Sequence, residues 1–187
     1  MTARLLVLAS GTGSLLQAVL DSPLARYVVA VGSDNPEAGA LERAAEVGIE
    51  AFCVIPSEFP SRRHWDQALQ RAIGAYAPTL VISAGFMRIL GPELVQEYRN
   101  RIINTHPALL PAFPGAHAVP DALRYGVKVT GCTVHFVDEG VDTGTIIAQE
   151  ALAIEPNETE EHLHERIKVV ERAMLVDVVT SLIGEQP

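Results

Sequence analysis

Cysteine is scarce in this chain, and the scarcity removes two architectures. Cys53 and Cys132 lie far apart with no C-x-x-C partner, so neither a thiolate zinc cage nor a disulfide framework can be assembled from them. Both read as small buried hydrophobes. Long apolar runs are missing too, since no stretch approaches the roughly 20 residues that a membrane-spanning helix needs. Residues 1–4 run straight into a strand-like segment without the pattern of a secretory leader, which places the chain in the cytoplasm. Positive charge is in deficit: 14 Lys and Arg stand against 23 Asp and Glu, a formal net charge of −9. A nucleic-acid partner draws on clustered Lys and Arg and is not expected, and an anionic small molecule would need a local positive site.

What is present is the material of a folded core. The chain has 187 residues, 48% hydrophobic and 20% charged, enough to bury roughly 70% of the surface its unfolded form exposes. Short apolar runs alternate with helix-like stretches, the signature of βαβ units and a parallel sheet. Strands are expected at residues 4–9, 28–31, 51–54, 80–84 and 101–104, and helices after 14, over 39–47, over 62–76 and from Pro92. Over 62–76 the apolar positions Trp65, Leu69, Ala72 and Ile73 repeat at helical spacing. Pro107, Pro111, Pro114 and Pro120 then predict a long irregular connection of the kind that needs a functional reason. Residues 127–137 and 145–152 read as an antiparallel strand pair turning through Asp142, and a last helix begins near Asn157 or Thr159 with Leu163, Ile167, Val170, Met174 and Val178 on one face. The expected fold is α/β: a Rossmann-like, mostly parallel sheet flanked by helices, with an antiparallel pair appended in the C-terminal half. We expect one domain over 1–187, with a phosphate-binding half at 1–104 and a half at 105–187 holding the catalytic loop, strand pair and last helix.

Asn104-Thr105-His106-Pro107 at the end of a strand, answered by Asp142 in a Gly-containing turn, offers an amide, an imidazole and a carboxylate. That set can hold a developing oxyanion, manage a proton and tune the imidazole, with no serine or cysteine nucleophile in it. The bland alternatives are a loop histidine and a polar turn. Gly11-Thr12-Gly13 opens a helix and presents backbone amides to an anion, phosphate being the natural guest; it lacks the third glycine of the dinucleotide fingerprint and a Walker lysine. Open α/β sheets bind ligands at the carboxyl ends of their strands, where both segments lie. A metal held by His106, His117, His135 and Asp142 ranks low, because no two of the histidines share a compact helical spacing. Gly85 to Leu90 combines apolar side chains with Arg88, either as a plain helix start or as a wall for a flat aromatic ligand with Arg88 near an acidic tail.

These pieces resemble the formyltransferase family that uses 10-formyltetrahydrofolate, and within it the branch acting on phosphoribosylglycinamide. The resemblance spans nearly the whole chain. It rests on Ser10-Gly11-Thr12-Gly13-Ser14-x-Leu16-Gln17, on Ala84-Gly85-Phe86-Met87-Arg88-Ile89-Leu90, on Asn104-x-His106-Pro107-Ala108-Leu109-Leu110-Pro111, and on Gly131-x-Thr133-Val134-His135-Phe136-Val137 leading to Asp142-x-Gly144. It implies Asn104, His106 and Asp142 as the catalytic set, and Gly11, Thr12, Gly13, Ser14 and Leu15 as the substrate-phosphate loop. Glu171 matches the contact to the glycinamide portion. The folate would meet Arg62, Met87, Arg88, Ile89 and Leu90, with Asn104, Asp142 and the loop residues Val137, Asp138 and Val141 bordering its pterin. His135 is a candidate support residue. The co-substrate is 10-formyltetrahydrofolate, no metal is implied, and oligomeric state is left open. One departure stands out: the family loop carries asparagine where this chain has Leu15, so the anion would rest on backbone amides.

The resemblance implies direct transfer to the amine of phosphoribosylglycinamide through a tetrahedral oxyanion, in de novo purine biosynthesis. Three rivals compare poorly. A methionyl-tRNA formyltransferase carries a further tRNA domain, whereas this chain ends soon after its last helix with an acidic balance. A formyltetrahydrofolate deformylase carries an extra N-terminal domain, whereas strand one here begins near Arg4. A binding module that had lost the reaction would not keep Asn104, His106 and Asp142.

Overall fold

In the computed structural model residues 2–184 are described; Met1 of the leader reading and residues 185–187 of the expected domain lie outside the described residues. The first half is a run of β1 (Leu5–Leu8), α1 (Ser14–Leu20), β2 (Val28–Ser33), α2 (Gly39–Glu46), β3 (Ala51–Cys53), α3 (Arg62–Gly74), β4 (Leu80–Ser83) and α4 (Pro92–Glu97), ending in β5 (Ile102–His106). Then come α5 (Ala118–Tyr125), β6 (Val129–Phe136), β7 (Ile146–Ala153) and α6 (Glu160–Leu182). The strand order is β3-β2-β1-β4-β5-β6-β7. β1 runs parallel to β2 and β4, and β2 runs parallel to β3, whereas β6 and β7 are antiparallel. The expected mixed α/β sheet is what forms. Two compact units divide within β5, at Met1–Ile103 and Asn104–Pro187.

In the first unit the continuous apolar strands sit where both faces are covered. Every residue of β1 and β4 is buried, each large side chain contributing about 1.5–3 kcal/mol on burial. α3 starts where the Ser61 side chain accepts a hydrogen bond from His64 N–H and buries Trp65, Leu69 and Ile73. The Trp65 indole is satisfied by Val54 O at 2.7 Å. Gly13 precedes α1 at φ 75°, and a Cβ there would meet Ala40 Cα at 2.8 Å. Glycine is thus required by backbone shape and by the approach of α2. Cys53 is half-buried rather than buried.

In the second unit, Val119, Cys132, Leu163 and Ile167 form a core on which Leu152, Val170 and Met174 pack. Cys132 is fully buried, and burial, with Glu171 and Glu150 adding, pushes its thiol up to about 12. The β6–β7 register pairs Cys132 with Glu150 and shifts between Val134 and His135. α6 begins where the Thr159 side chain accepts from His162 N–H, one of the two expected caps.

Three expectations are corrected here. The proline-rich connection is not irregular throughout, because α5 lies inside it, with Pro120 in its first turn where the missing N–H breaks no helical bond. The last strand of the first half reaches His106, so Asn104-Thr105-His106 is strand and not the loop after it. The buried stripe of α6 is Leu163, Ile167, Glu171, Leu175 and Val178, which leaves Val170 and Met174 at its margin and puts Glu171 in its middle.

Candidate active site

The strand geometry of β5 sorts the three residues of the second unit's opening segment. Alternation puts Asn104 and His106 on one face and Thr105 on the other. His106 is 4% exposed. Its Nε2 lies 2.8 Å from the Phe113 carbonyl and its Nδ1 lies 3.3 Å from Asp142 Oδ2. A carbonyl only accepts, so Nε2 must carry a proton, and Nδ1 is the nitrogen that faces the carboxylate.

Asp142 is brought there by a built turn. Asp138 Oδ1 accepts from Gly140 N–H at 3.0 Å and from the Thr143 hydroxyl at 2.7 Å, closing the loop between β6 and β7. Gly144 then passes so close to the Phe136 carbonyl that any Cβ would collide with it. Within this turn Asp142 takes φ 54°, a left-handed conformation seldom adopted by residues other than glycine, asparagine and aspartate. Gly115 N–H donates to Asp142 Oδ2 at 2.7 Å. The Asp142 carboxyl is held below its ordinary value of 3.8 first by His135, then by the Gly115 N–H and by the charge of His106, against the opposing effect of burial. His135 Nε2 stands 3.6 Å from Asp142 Oδ1, an electrostatic approach rather than a direct hydrogen bond. The Gly115 bond is the shortest of the contacts.

His135 is buried, and its Nδ1 lies 2.9 Å from the Phe136 carbonyl. The carbonyl only accepts, so Nδ1 carries a proton, and Nε2 lies 3.3 Å from Asn104 Nδ2. Thus Asn104, His106, His135 and Asp142 are brought together. His117, the remaining residue of the metal reading, stands at the N-cap position of α5 without a side-chain cap bond. Glu171 is 5% exposed, and its carboxyl is raised above its ordinary value of 4.5 chiefly by burial, opposed by a hydrogen bond from Thr105 and the charges of Lys168 and Arg172. Of the pterin-border residues, Val137 is half-buried while Asp138 and Val141 are exposed.

The first unit holds the other sequence-derived residues. In the glycine loop, Gly11 and Thr12 are exposed and Ser14 is half-buried, whereas Leu15 is 8% exposed and packs inward with Leu16 and Val19. Arg43 braces this loop, its Nε donating to Thr12 O at 2.8 Å and its Nη1 to Gln17 Oε1 at 2.6 Å. Along the wall segment, Met87 and Ile89 are 76% and 63% exposed, and Leu90 is buried. Arg88 is ion-paired, Nε to Asp34 Oδ2 at 2.7 Å. Arg62 donates to Asp66 at 2.8 Å and to the Ile89 carbonyl, and its guanidinium lies 5.0 Å over the Trp65 ring.

Sequence reasoning missed Phe113 and Gly115, which hold His106 and Asp142; the Phe113-Pro114-Gly115 turn was a visible signal. It also missed Asp34, whose position just past the end of β2 was the only hint, and Thr105, hidden between two chemical neighbours.

Residues 3–179 match the protein family described as formyl transferase. The chain is 56% identical over 183 residues to the phosphoribosylglycinamide formyltransferase of Mycobacterium tuberculosis, covering 96% of this chain and 85% of that protein. Against the enzyme of the same name in Bacillus subtilis it is 40% identical over 186 residues, covering 95% and 93%. Among solved structures, glycinamide ribonucleotide transformylase 1 from Symbiobacterium toebii superposes with a TM-score of 0.94 at 42% identity, over 97% of this chain and 88% of that one.

Proposed function

Because this chain belongs to the formyl transferase family, we propose that it transfers the formyl group of 10-formyltetrahydrofolate to the amine of 5'-phosphoribosylglycinamide, a step of de novo purine biosynthesis in the cytoplasm. The observation that carries the reading is the convergence of Asn104, His106 and Asp142 at the end of β5, with His106 Nδ1 facing Asp142 at 3.3 Å.

The amine nitrogen attacks the formyl carbon, a C–N bond forms, and the carbonyl electrons move to oxygen in a tetrahedral intermediate. Collapse breaks the bond to N10, which takes up the proton that the amine has given to Asp142. No acyl-enzyme is needed. Asn104, whose side-chain nitrogen lies 3.3 Å from His135 Nε2, donates an N–H to the oxyanion. Charged His106, its Nε2 proton committed to Phe113 O and its Nδ1 facing Asp142, stabilises the same oxygen by its positive charge. Asp142 favours that charge and takes the amine proton directly or through water. Fixing these dipoles before the reaction avoids reorganisation when charge develops.

The phosphate rests on the amides of Gly11, Thr12, Gly13, Ser14 and Leu15, the last contributing backbone alone because its side chain is buried. Glu171 receives the glycinamide portion. The folate lies along Met87, Arg88, Ile89 and Leu90 with Arg62 behind them, and Val137, Asp138 and Val141 border the pterin. The reading uses no metal, and its partners are the two small-molecule substrates.

The test is to incubate the protein with 10-formyltetrahydrofolate, with and without phosphoribosylglycinamide, and follow tetrahydrofolate. Release that requires the ribonucleotide is expected. Release without it would mean that water is the acceptor, and no release in either case would overturn the reading.

A further inference from the structure

The wall segment is held by a closed circuit of hydrogen bonds that begins at the residue just before the glycine loop. Ser10 Oγ accepts from Met87 N–H at 2.8 Å and donates to Asp34 Oδ1 at 2.5 Å. The other carboxylate oxygen of Asp34 accepts from Arg88 Nε at 2.7 Å, and Arg88 is bonded to Met87, which closes the circuit. The Ser10 backbone joins in: its N–H donates to Gly85 O at 3.1 Å, and its carbonyl accepts from Asn35 Nδ2 at 3.4 Å.

Asp34 is the buried member. Its side chain is 5% exposed, against 49% for Arg88. Both of its oxygens are engaged, one by a hydroxyl and one by a guanidinium. A buried carboxylate so satisfied is a rigid anchor, because any displacement would strand a charge away from water. Two consequences follow for the residues it holds. Met87 and Ile89, flanking Arg88, present large apolar side chains outward at a position set by the circuit. Arg88 also has its charge answered within the protein, so it is not a free cation awaiting an acidic ligand.

We infer that Asp34 is a positioning residue for the formyl donor: through Ser10 and Arg88 it fixes the Met87–Ile89 wall relative to the start of the glycine loop, and it acts on donor affinity without touching the reacting atoms. This rests on the function proposed above, in which the wall receives the folate.

The role predicts a split between KM and kcat. Asp34→Asn keeps the shape and removes the charge that holds Arg88. It raises the donor KM, and the Kd for tetrahydrofolate read by calorimetry, by about tenfold. The turnover number stays within about threefold of wild type, because Asn104, His106 and Asp142 are unaltered. Ser10→Ala, which removes only a hydroxyl, shifts the same two quantities in the same direction and carries the test if Asp34→Asn fails to fold.

A direct role of Arg88 in binding the donor's acidic tail makes the opposite forecast: freeing it from Asp34 would tighten the donor. A donor KM that is unchanged or lowered in Asp34→Asn therefore overturns the inference, as does a parallel collapse of kcat in Ser10→Ala. Wild type that transfers formyl while Asp34→Asn and Ser10→Ala match it sinks the inference alone. Wild type that neither transfers formyl nor binds tetrahydrofolate sinks the proposed function, and the inference with it.

Discussion

His106 and Asp142 face each other through Nδ1 and Oδ2 at 3.3 Å while the opposite ring nitrogen of His106 is tied to the Phe113 carbonyl at 2.8 Å. The tie decides which nitrogen faces the carboxylate. With Nε2 spoken for, Nδ1 is left to one partner, Asp142, whose own position is fixed by Gly115 N–H.

Removing that partner's charge should therefore lower turnover and flatten an acid-limb stability profile. Asp142 has its folded pKa below the ordinary 3.8, so it contributes stability that is present above that value and is lost as pH falls through the lowered folded one. Thermal melts of wild type should fall more steeply below about pH 4 than those of Asp142→Asn, whose kcat should also be lower by about 10²–10³. Parallel melting curves with unchanged turnover would contradict the assignment.

Asn104→Ala removes an oxyanion donor without disturbing the wall segment. Single-turnover rates should drop about 10²–10³, while the Kd for tetrahydrofolate moves little. An equal loss in both would place Asn104 in donor binding instead.

Glu171 lends itself to a stability measurement with the opposite sign. Burial raises its folded pKa above the ordinary 4.5, so its contribution is fully present below about pH 4.5 and is lost as pH rises through the raised folded value. Glu171→Gln should escape that loss. Its Tm relative to wild type should climb between acid and neutral pH, while its KM for phosphoribosylglycinamide rises, a trade of function for stability. A variant with unaltered KM would remove Glu171 from the substrate.

Leu15→Asn restores the family's residue at a position that is only 8% exposed. A buried amide without a partner costs about 1–3 kcal/mol, so the variant should melt several degrees lower. Chemical denaturation reads this directly; a variant as stable as wild type would show that the amide finds a partner in the loop.

Local pattern was enough wherever local physics decides. β1, β4 and α3 were legible because continuous apolar runs and helical spacing report burial without knowledge of neighbours, and Ser61 and Thr159 mark helix starts by chemistry that acts within three residues. α5 was hidden because Pro120 reads as a breaker unless its place in the first turn is known. The stripe of α6 was misphased because a glutamate in its middle reads as the edge of an apolar face, and nothing nearby reveals that Thr105 meets it from another element.

Arg62 and Arg88 show the same division among the site residues. The resemblance sets Arg62 at the folate, and the wall motif leaves Arg88 either solvated or near an acidic tail; in the folded chain each is answered by protein, Arg88 by Asp34 from 54 residues away and Arg62 by Asp66 and the Ile89 carbonyl. The sequence alone determined the α/β class and the motif order, and offered the residue types of the proposed catalytic set, because these are read from periodicity and chemical identity along the chain. Tertiary structure decided which nitrogen of His106 faces Asp142, that Asn104 meets His135, and that Glu171 is buried and Arg88 paired. Proton position, amide orientation and charge compensation depend on partners that only folding brings within hydrogen-bond reach.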